Sequence, residues 1–233
     1  MNKISTDILV VTTSGGEYDL GPLSFVDTDA RLRIVWIQSH VEPHQWEAVN
    51  ANYVYMPSNW VRRSVMEGWQ HRPAGVFVTY NGVVDGQYSS VDSMSPKRES
   101  HRLIYFSHPS KGLAVAAEIV RRLRASDEQY HLEVFGGSQL WGGSLDISSQ
   151  DQPGIRFHGT IGQEQLAREL ELATYSLCLQ DRLEPFGNVI VESMRAGCIV
   201  LASSVGAFPE LIDDGVNGFL VKGGSWLESG LQT

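Results

Sequence analysis

The stretch from Ser176 to Ala202, SLCLQDRLEPFGNVIVESMRAGCIVLA, contains a complete strand–helix–strand pattern. Ser176–Leu179 and Ile199–Ala202 are short apolar runs, as in strands that are buried on both faces of a parallel sheet. Between them, Asn188–Ala196 (NVIVESMRA) has helical spacing, and Gly197 follows where a helix commonly ends. Parallel α/β sheets are built from units of this kind.

The same alternation continues in both directions from this stretch. Leu113–Arg124 and Gln163–Ala173 have the apolar periodicity of helices. The remaining apolar runs of strand length are Asp7–Thr13, Arg33–Gln38, Asn52–Pro57, Gly75–Tyr80, Leu103–Phe106, Leu132–Phe135, Ile155–Phe157 and Gly218–Val221. We therefore predict an α/β fold with mostly parallel sheets.

One stretch interrupts the alternation and predicts a domain boundary. Gln87–Ser100 (QYSSVDSMSPKRES) has five serines, a proline and almost no apolar residues, and is interpreted as a linker. The expected organisation is an abbreviated first lobe over 1–86, a linker over 87–100 and a second lobe over 101–233. Two Rossmann-like lobes would bind ligands at the carboxyl ends of their strands, across a crevice.

Composition and charge restrict the function further. Of 233 residues, 18 are basic and 27 acidic, and a net charge of −9 disfavours binding to nucleic acid or an anionic membrane through bulk charge. No apolar run reaches the roughly 18 residues of a membrane span, and the first apolar stretch is too short for a signal peptide. Cys178 and Cys198 lie in apolar runs, which favours reduced, buried thiols. We expect a cytoplasmic protein, with peripheral membrane contact left open.

Several signatures of other enzyme classes do not occur. The chain has no GxGxxG after its first strand, no GxxxxGK[ST], no HExxH, no GxSxG and no CxxC. Their absence disfavours hydride transfer, P-loop phosphoryl transfer and zinc hydrolysis. Asp27 and Asp29 form a DxD, but in a polar stretch that does not follow a strand of a nucleotide-binding lobe. We predict no metal site.

The loop and helix start at Gly187 have the features of an anion site. The free N–H groups of a helix N-terminus and the helix dipole favour a phosphate, and a glycine allows it to approach the backbone. Glu184 and Glu192 flank this point, eight positions apart. On a helical path that is about 12 Å, which suits two contacts on a nucleotide-sugar better than a glycosidase pair. From the residues alone, a loop acid and a solvated helix residue remain the alternative.

Glu184–Glu192 (EPFGNVIVE), with the following SMRAGCIVLASSVGAFPELIDDGVNGFLV, resembles the signature of glycosyltransferase family 4, retaining enzymes of the GT-B fold. The resemblance extends from about Leu103 to Val221. It is looser in the first lobe, in WIQSH, NYVYMPSNWVRRSVMEGW and VTYNGVVD. It implies a GT-B-like fold with a C-terminal donor lobe. It also implies transfer of a sugar from a nucleotide-diphosphate sugar to a hydroxyl of a glycan, lipid or small molecule, with no cofactor required.

The resemblance also implies roles for individual residues. Glu192 would hold the ribose hydroxyls and Glu184 the transferred sugar. Lys111, in SHPSKGL, would neutralise the leaving diphosphate. The family often has an arginine a few residues earlier, but Phe106–Ser110 (FSHPS) supplies none, so Lys111 and the helix end would share this task. Backbone N–H groups for sugar and phosphate would come from Phe186, Gly187 and Asn188.

The remaining site residues follow other strands. Gly136, after HLEVF, would form a tight turn that opens the crevice, and the backbone near Ile161 would read the base. His40, which ends RIVWIQSH, would face the donor sugar; a solvated strand-end histidine is its alternative. His108 is a second candidate for a phosphate contact.

Two departures from the family leave the function open to alternatives. Family members usually have a longer first lobe and helices that follow the GFLV segment. We therefore expect either a minimal variant or a chain whose short lobe is completed by a homo-oligomer or a partner chain. The alternatives are a non-catalytic nucleotide-sugar-binding subunit and a GT-B-fold nucleotide-sugar epimerase. Base, sugar and acceptor do not follow from the sequence.

Overall fold

The computed structural model describes residues 4–13, 28–38, 51–67, 72–89, 98–137 and 152–222. The chain forms two compact units. The first unit comprises Met1–Asn81 and Leu183–Phe186, and the second unit comprises Gly82–Arg182 and Gly187–Thr233. The domain limits given above from the sequence (1–86, 87–100 and 101–233) stay a prediction.

The first unit contains a parallel sheet with one helix in the described residues. The strands lie side by side in chain order, β1 next to β2, β2 next to β3 and β3 next to β4. The hydroxyl of buried Ser58 caps the helix by accepting the Val61 N–H group at 3.1 Å. The core combines alternate strand residues with one face of this helix: Val35, Ile37, Val54, Met56, Val61 and Val65. The elements are β1 Ile4–Thr13, β2 Thr28–Ile37, β3 Tyr53–Met56, α1 Asn59–Met66 and β4 Gly75–Val78.

The second unit contains a six-stranded parallel sheet. Its elements are a 3-10 turn at Asp85–Gln87, β5 Glu99–Tyr105, α2 Leu113–Ser126, β6 His131–Phe135, β7 Ile155–Gly159, α3 Gln163–Leu172, β8 Ala173–Cys178, α4 Asn188–Arg195, β9 Ile199–Ser203, α5 Phe208–Leu211 and β10 Phe219–Val221. The spatial order is β10-β9-β8-β5-β6-β7. Counted within this unit, that is the 3-2-1-4-5-6 order of a doubly wound fold, and the order reverses between β5 and β8. Ligands of such sheets bind beyond the carboxyl ends of the strands at that point.

The core of the second unit explains the continuous apolar runs. Leu103 and Tyr105 of β5 pack in one cluster with Val120 of α2, whereas Ile104 packs in another with Leu170 of α3. Because both faces of the strand are covered, neighbouring side chains are both buried and polar alternation is not needed. The predicted α/β fold with mostly parallel sheets is confirmed.

The observed helix and strand limits differ from the predicted ones on either side of β8. The apolar periodicity predicts a helix as far as Ala173 and a strand from Ser176, but Ala173 already has extended backbone and begins β8. Thr174 fixes this early start, since its hydroxyl donates to the Glu99 carbonyl at 2.8 Å. β5 correspondingly begins at Glu99, inside the stretch interpreted as a linker.

The beginning of that linker is also bound to the second unit. The buried Glu171 carboxylate accepts the Ser89 N–H group at 2.6 Å and its hydroxyl at 2.9 Å. The Arg195 guanidinium lies 5.0 Å above the Tyr88 ring and pairs with Asp85. Hydrogen bonding of the backbone and a cation–π contact thus hold residues 85–89 against α3 and α4. Among the described residues, no helix has the length and apolar character needed to cross a membrane.

Candidate active site

The loop after β5, which carries Lys111, is held in one shape by hydrogen bonds. The Tyr105 hydroxyl donates to the His108 carbonyl at 2.7 Å, and the Lys111 N–H group donates to the same oxygen at 2.8 Å. The imidazole Nδ1 of His108 accepts the Ser110 N–H group at 3.2 Å and lies 2.7 Å from its hydroxyl. Lys111 is therefore placed by a defined turn at the carboxyl end of β5.

This loop contacts the loop after β8 backbone to backbone, through Gly112. Gly112 has a φ of +98°, and a Cβ atom there would lie 1.6 Å from the Leu179 carbonyl oxygen. Only a glycine fits between the two loops, because both its positive φ and the contact exclude a side chain. Gly112 does not stand out in the sequence, because its role depends on Leu179, which lies far along the chain.

A group of basic side chains lies at this edge of the sheet. The pKa of His108 is lowered from its ordinary value of 6.5, first by burial and then by the positive charges of Arg182 and Lys111. Arg182 is exposed and follows β8, the strand next to β5. The positive charges are thus concentrated where the strand order reverses. Arg182 does not stand out in the sequence, because its closeness to Lys111 depends on which strands are neighbours.

The N-terminus of α4 begins at Gly187 without a side-chain cap. Gly187 has a φ of +111°, which favours glycine. A Cβ atom there would lie 2.6 Å from Cε1 of Phe208 in α5, so packing against α5 is a second reason for a glycine at this position. Asn188, the first helical residue, is exposed. The Ile190 N–H group of the first turn donates to the Gly187 carbonyl at 2.9 Å. A helix N-terminus presents backbone N–H groups and the positive end of the helix dipole, and both favour an anion.

Glu192 lies further along α4 and is half-buried. Burial raises the pKa of its carboxyl group above the ordinary value of 4.5. Its charge acts on Tyr88, since burial and then the Glu192 carboxylate raise the pKa of that phenol to about 12. A carboxylate that has lost part of its water gains more from hydrogen-bond donors supplied by a ligand.

The loop with Glu184 belongs to the first unit. The Ser58 hydroxyl donates to the Pro185 carbonyl at 2.6 Å, and the buried Phe186 ring lies 5.8 Å from that of Tyr80. Glu184 itself is half-buried. The helix cap of α1 thus also fixes the backbone beside Glu184.

The segments after β6 and β7 carry the predicted residues Gly136 and Ile161. Gly136 has a φ of +96°, donates to the Gly159 carbonyl at 2.8 Å, and comes close to the Ser107 carbonyl oxygen. Ile161 is half-buried and packs against the core beside α3. His40 lies outside the described residues.

The predicted site residues fall into two groups. The second unit contains Lys111, Gly136, Ile161, Gly187, Asn188 and Glu192. The first unit contains Glu184 and Phe186. Within the described ranges, no three His, Cys, Asp or Glu residues are grouped so that they could hold a metal ion. Asp27 of the DxD lies outside those ranges, and the absence of a metal site stays a prediction.

The comparison with known families gives the class, the glycosyltransferases. A model of the family described as glycosyl transferases group 1 matches residues 101–229, more than half of the chain. The chain belongs to this family, and the resemblance to glycosyltransferase family 4 is confirmed.

Curated relatives match parts of the chain. A D-inositol 3-phosphate glycosyltransferase of Streptomyces griseus is 42% identical over 69 residues, which are 30% of this chain and 14% of the relative. A glycogen synthase of Xanthomonas oryzae pv. oryzae is 31% identical over 118 residues, 48% of this chain and 22% of the relative. The matches therefore span less than a quarter of the length of these relatives.

Solved structures match most of the chain at low identity. Anabaena Alr3699/HepE, in complex with UDP and glucose, has a TM-score of 0.67 and 22% identity, covering 90% of this chain and 62% of that one. TarM has a TM-score of 0.68 and 17% identity, covering 92% of this chain and 44% of that one. This likeness confirms the predicted GT-B-like fold with Rossmann-like parallel sheets.

Proposed function

We propose that the chain transfers a hexose from a nucleotide-diphosphate sugar to a hydroxyl acceptor, with retention of the anomeric configuration. The observation that carries the proposal is the placement of Lys111 and other basic side chains at the point where the doubly wound order reverses. Membership of the glycosyl transferases group 1 family supports sugar transfer. Alr3699/HepE was also solved with UDP-glucose, which makes a UDP-sugar the first donor to test.

In this mechanism, the second unit stabilises the leaving group. As the bond between the anomeric carbon and the phosphate oxygen breaks, negative charge develops on the diphosphate. Lys111 and the N-terminus of α4 would present positive charge to the diphosphate, and preorganised groups of this kind lower the barrier. Gly187 and Asn188 would donate from the backbone at the start of this helix.

The two glutamates would hold the opposite ends of the donor. The half-buried Glu192 would accept hydrogen bonds from the ribose hydroxyls, and Glu184 would accept from the hydroxyls of the transferred sugar. The backbone of Phe186 would contribute beside Glu184, and that of Gly136 and Ile161 near the nucleotide. His40 would face the donor sugar.

The acceptor hydroxyl would attack from the face that the diphosphate leaves. Its oxygen forms the new bond to the anomeric carbon, and its proton passes to the departing phosphate oxygen, so no protein nucleophile is required. We propose that this reaction needs no metal or other cofactor. The cytoplasmic location, the membrane-peripheral contact and a homo-oligomer or partner chain stay predictions.

The test measures nucleotide release from UDP-, GDP- and ADP-sugars with and without hydroxyl acceptors. We expect release from one base class, and a loss of roughly 10²–10³ in kcat in Glu184→Ala, as for other groups that stabilise a transition state. Glu164→Ala removes an exposed helix carboxylate in the second unit and is the matched control.

Three outcomes would contradict the proposal. Tight donor binding without turnover across all acceptors would favour the non-catalytic subunit. Conversion of the donor sugar to its epimer without nucleotide release would favour the epimerase. Equal kcat values in Glu184→Ala and Glu164→Ala would remove Glu184 from the mechanism.

A further inference from the structure

The loop that carries Lys111 has one permanent positive charge. The residues between β5 and Lys111 are Phe106–Ser110 (FSHPS), which include neither lysine nor arginine. His108 does not supply the missing charge, since its pKa lies below the ordinary value and its Nδ1 accepts a hydrogen bond from the Ser110 backbone. A departing nucleoside diphosphate, however, carries charge on two phosphates, and one lysine is a single point charge.

The neighbouring loop, after β8, contributes a second cation to the same edge. β5 and β8 are parallel neighbours, with Ile104 opposite Ser176, so both strands end at the same edge of the sheet. The contact between Gly112 and the Leu179 carbonyl brings the backbone next to Lys111 within three residues of Arg182. The distance along the chain between Lys111 and Arg182 is 71 residues (182 − 111), so only the sheet brings them together.

The base of the Arg182 loop is fixed. Gln180 is buried, and its N–H group donates to the Ser203 hydroxyl of β9 at 2.6 Å. The same hydroxyl donates back to the Gln180 carbonyl at 2.5 Å. Arg182 therefore extends from a backbone anchored on two sides, by Gly112 of one loop and Ser203 of another strand.

We infer that Arg182 is a further catalytic residue, which binds the leaving diphosphate together with Lys111 and takes the place of the arginine absent from the Lys111 loop. This inference rests on the proposed function. The geometry that supports it is the convergence of the two loops at the reversal point of the strand order. The positive charges of Arg182 and Lys111 both lower the pKa of His108, which agrees with this convergence. A planar guanidinium can bind phosphate oxygens in pairs, which a lysine cannot.

The experiment compares wild type, Arg182→Ala, Arg182→Lys and Arg168→Ala in the full chain. Arg168 is exposed on α3, pairs with Glu164, and gives a control with the same change in net charge. Calorimetric titration with UDP and UMP, and turnover of a UDP-sugar, are measured for each. Arg182→Ala should weaken UDP binding by roughly 10- to 100-fold, the loss expected for hydrogen bonds to charged groups. UMP binding should weaken less, Arg182→Lys should lie between, and Arg168→Ala should match wild type.

The outcomes separate this inference from the proposed function. If wild type binds and turns over a UDP-sugar but Arg182→Ala behaves like Arg168→Ala, the inference is wrong and the proposed function stands. A loss of UDP and UMP affinity by the same factor would indicate general damage to the loop and would also overturn it. If wild type neither binds nor cleaves any nucleotide-sugar, the proposed function fails and the inference with it.

Discussion

Replacing Gly112 by alanine tests whether the two loops at the active edge depend on direct backbone contact. At a φ of +98°, an alanine costs about 1–2 kcal/mol relative to glycine. Its methyl group would also lie 1.6 Å from the Leu179 carbonyl oxygen, a backbone atom that cannot turn away. Overpacking of this kind adds about 1–3 kcal/mol. The free energy of unfolding should therefore fall by about 2–5 kcal/mol, and Lys111 and Arg182 should move apart.

Two other glycines provide controls of graded severity. Gly215 has a φ of +78° with no atom near its missing Cβ, so Gly215→Ala should cost the conformational term alone, about 1–2 kcal/mol. Gly82 has open space and no positive φ, so Gly82→Ala should be neutral or stabilise by up to about 1 kcal/mol. Urea denaturation, with a slope of about 2 kcal/mol/M, would give midpoint losses of about 1–2.5 M for Gly112→Ala and 0.5–1 M for Gly215→Ala. Equal losses would refute the backbone contact.

Three further substitutions test individual contacts. Burial raises the pKa of Glu192, so the ionised carboxylate destabilises the folded state at high pH, and this cost is absent below the ordinary pKa of 4.5. Glu192→Gln should therefore raise the melting temperature at pH 8 but not at pH 4. A gain in melting temperature that is independent of pH would contradict this. The buried Glu133 carboxylate pairs with Arg156 at 3.0 Å, with His158 and, at 3.8 Å, with His131. Because Arg156 is 65% exposed and can turn to water, Glu133→Ala should cost about 1–3 kcal/mol in urea rather than the larger loss of a fully buried pair. Ser58→Ala removes the cap of α1 and the donor to Pro185, and should cost about 1–3 kcal/mol in the same assay, with no loss if neither bond is formed in solution.

Local sequence patterns predicted strands and helices, and the described residues contain most of these elements. Leu113–Arg124 is inside α2, Asn188–Ala196 contains α4, and the buried runs in both units are strands. These elements could be predicted because a strand covered on both faces and a helix with one apolar face leave different spacings in the sequence. The strand limits at Ala173 and Glu99 could not be predicted from local patterns, since the pairing between β5 and β8 decides where these strands begin.

The candidate site was predictable where it consists of one continuous segment. The residues from Glu184 to Glu192 form a loop and helix start, and Gly187 stands directly before the first helical residue. Arg182 and Gly112 were missed for the same reason as each other. Their significance depends on a contact between loops that are far apart in sequence, and no local spacing records it.

The sequence by itself determined the alternation of strands and helices, the glycine at the start of α4 and the family signature around Glu184 and Glu192, because each of these is written in neighbouring residues. The tertiary structure decided the strand order, and with it which loops meet. β5 and β8 become neighbours only when the sheet is assembled, so the approach of the Lys111 loop to the Arg182 loop exists only in the folded second unit. The positive charge at that edge is therefore a property of the sheet's order rather than of any one segment.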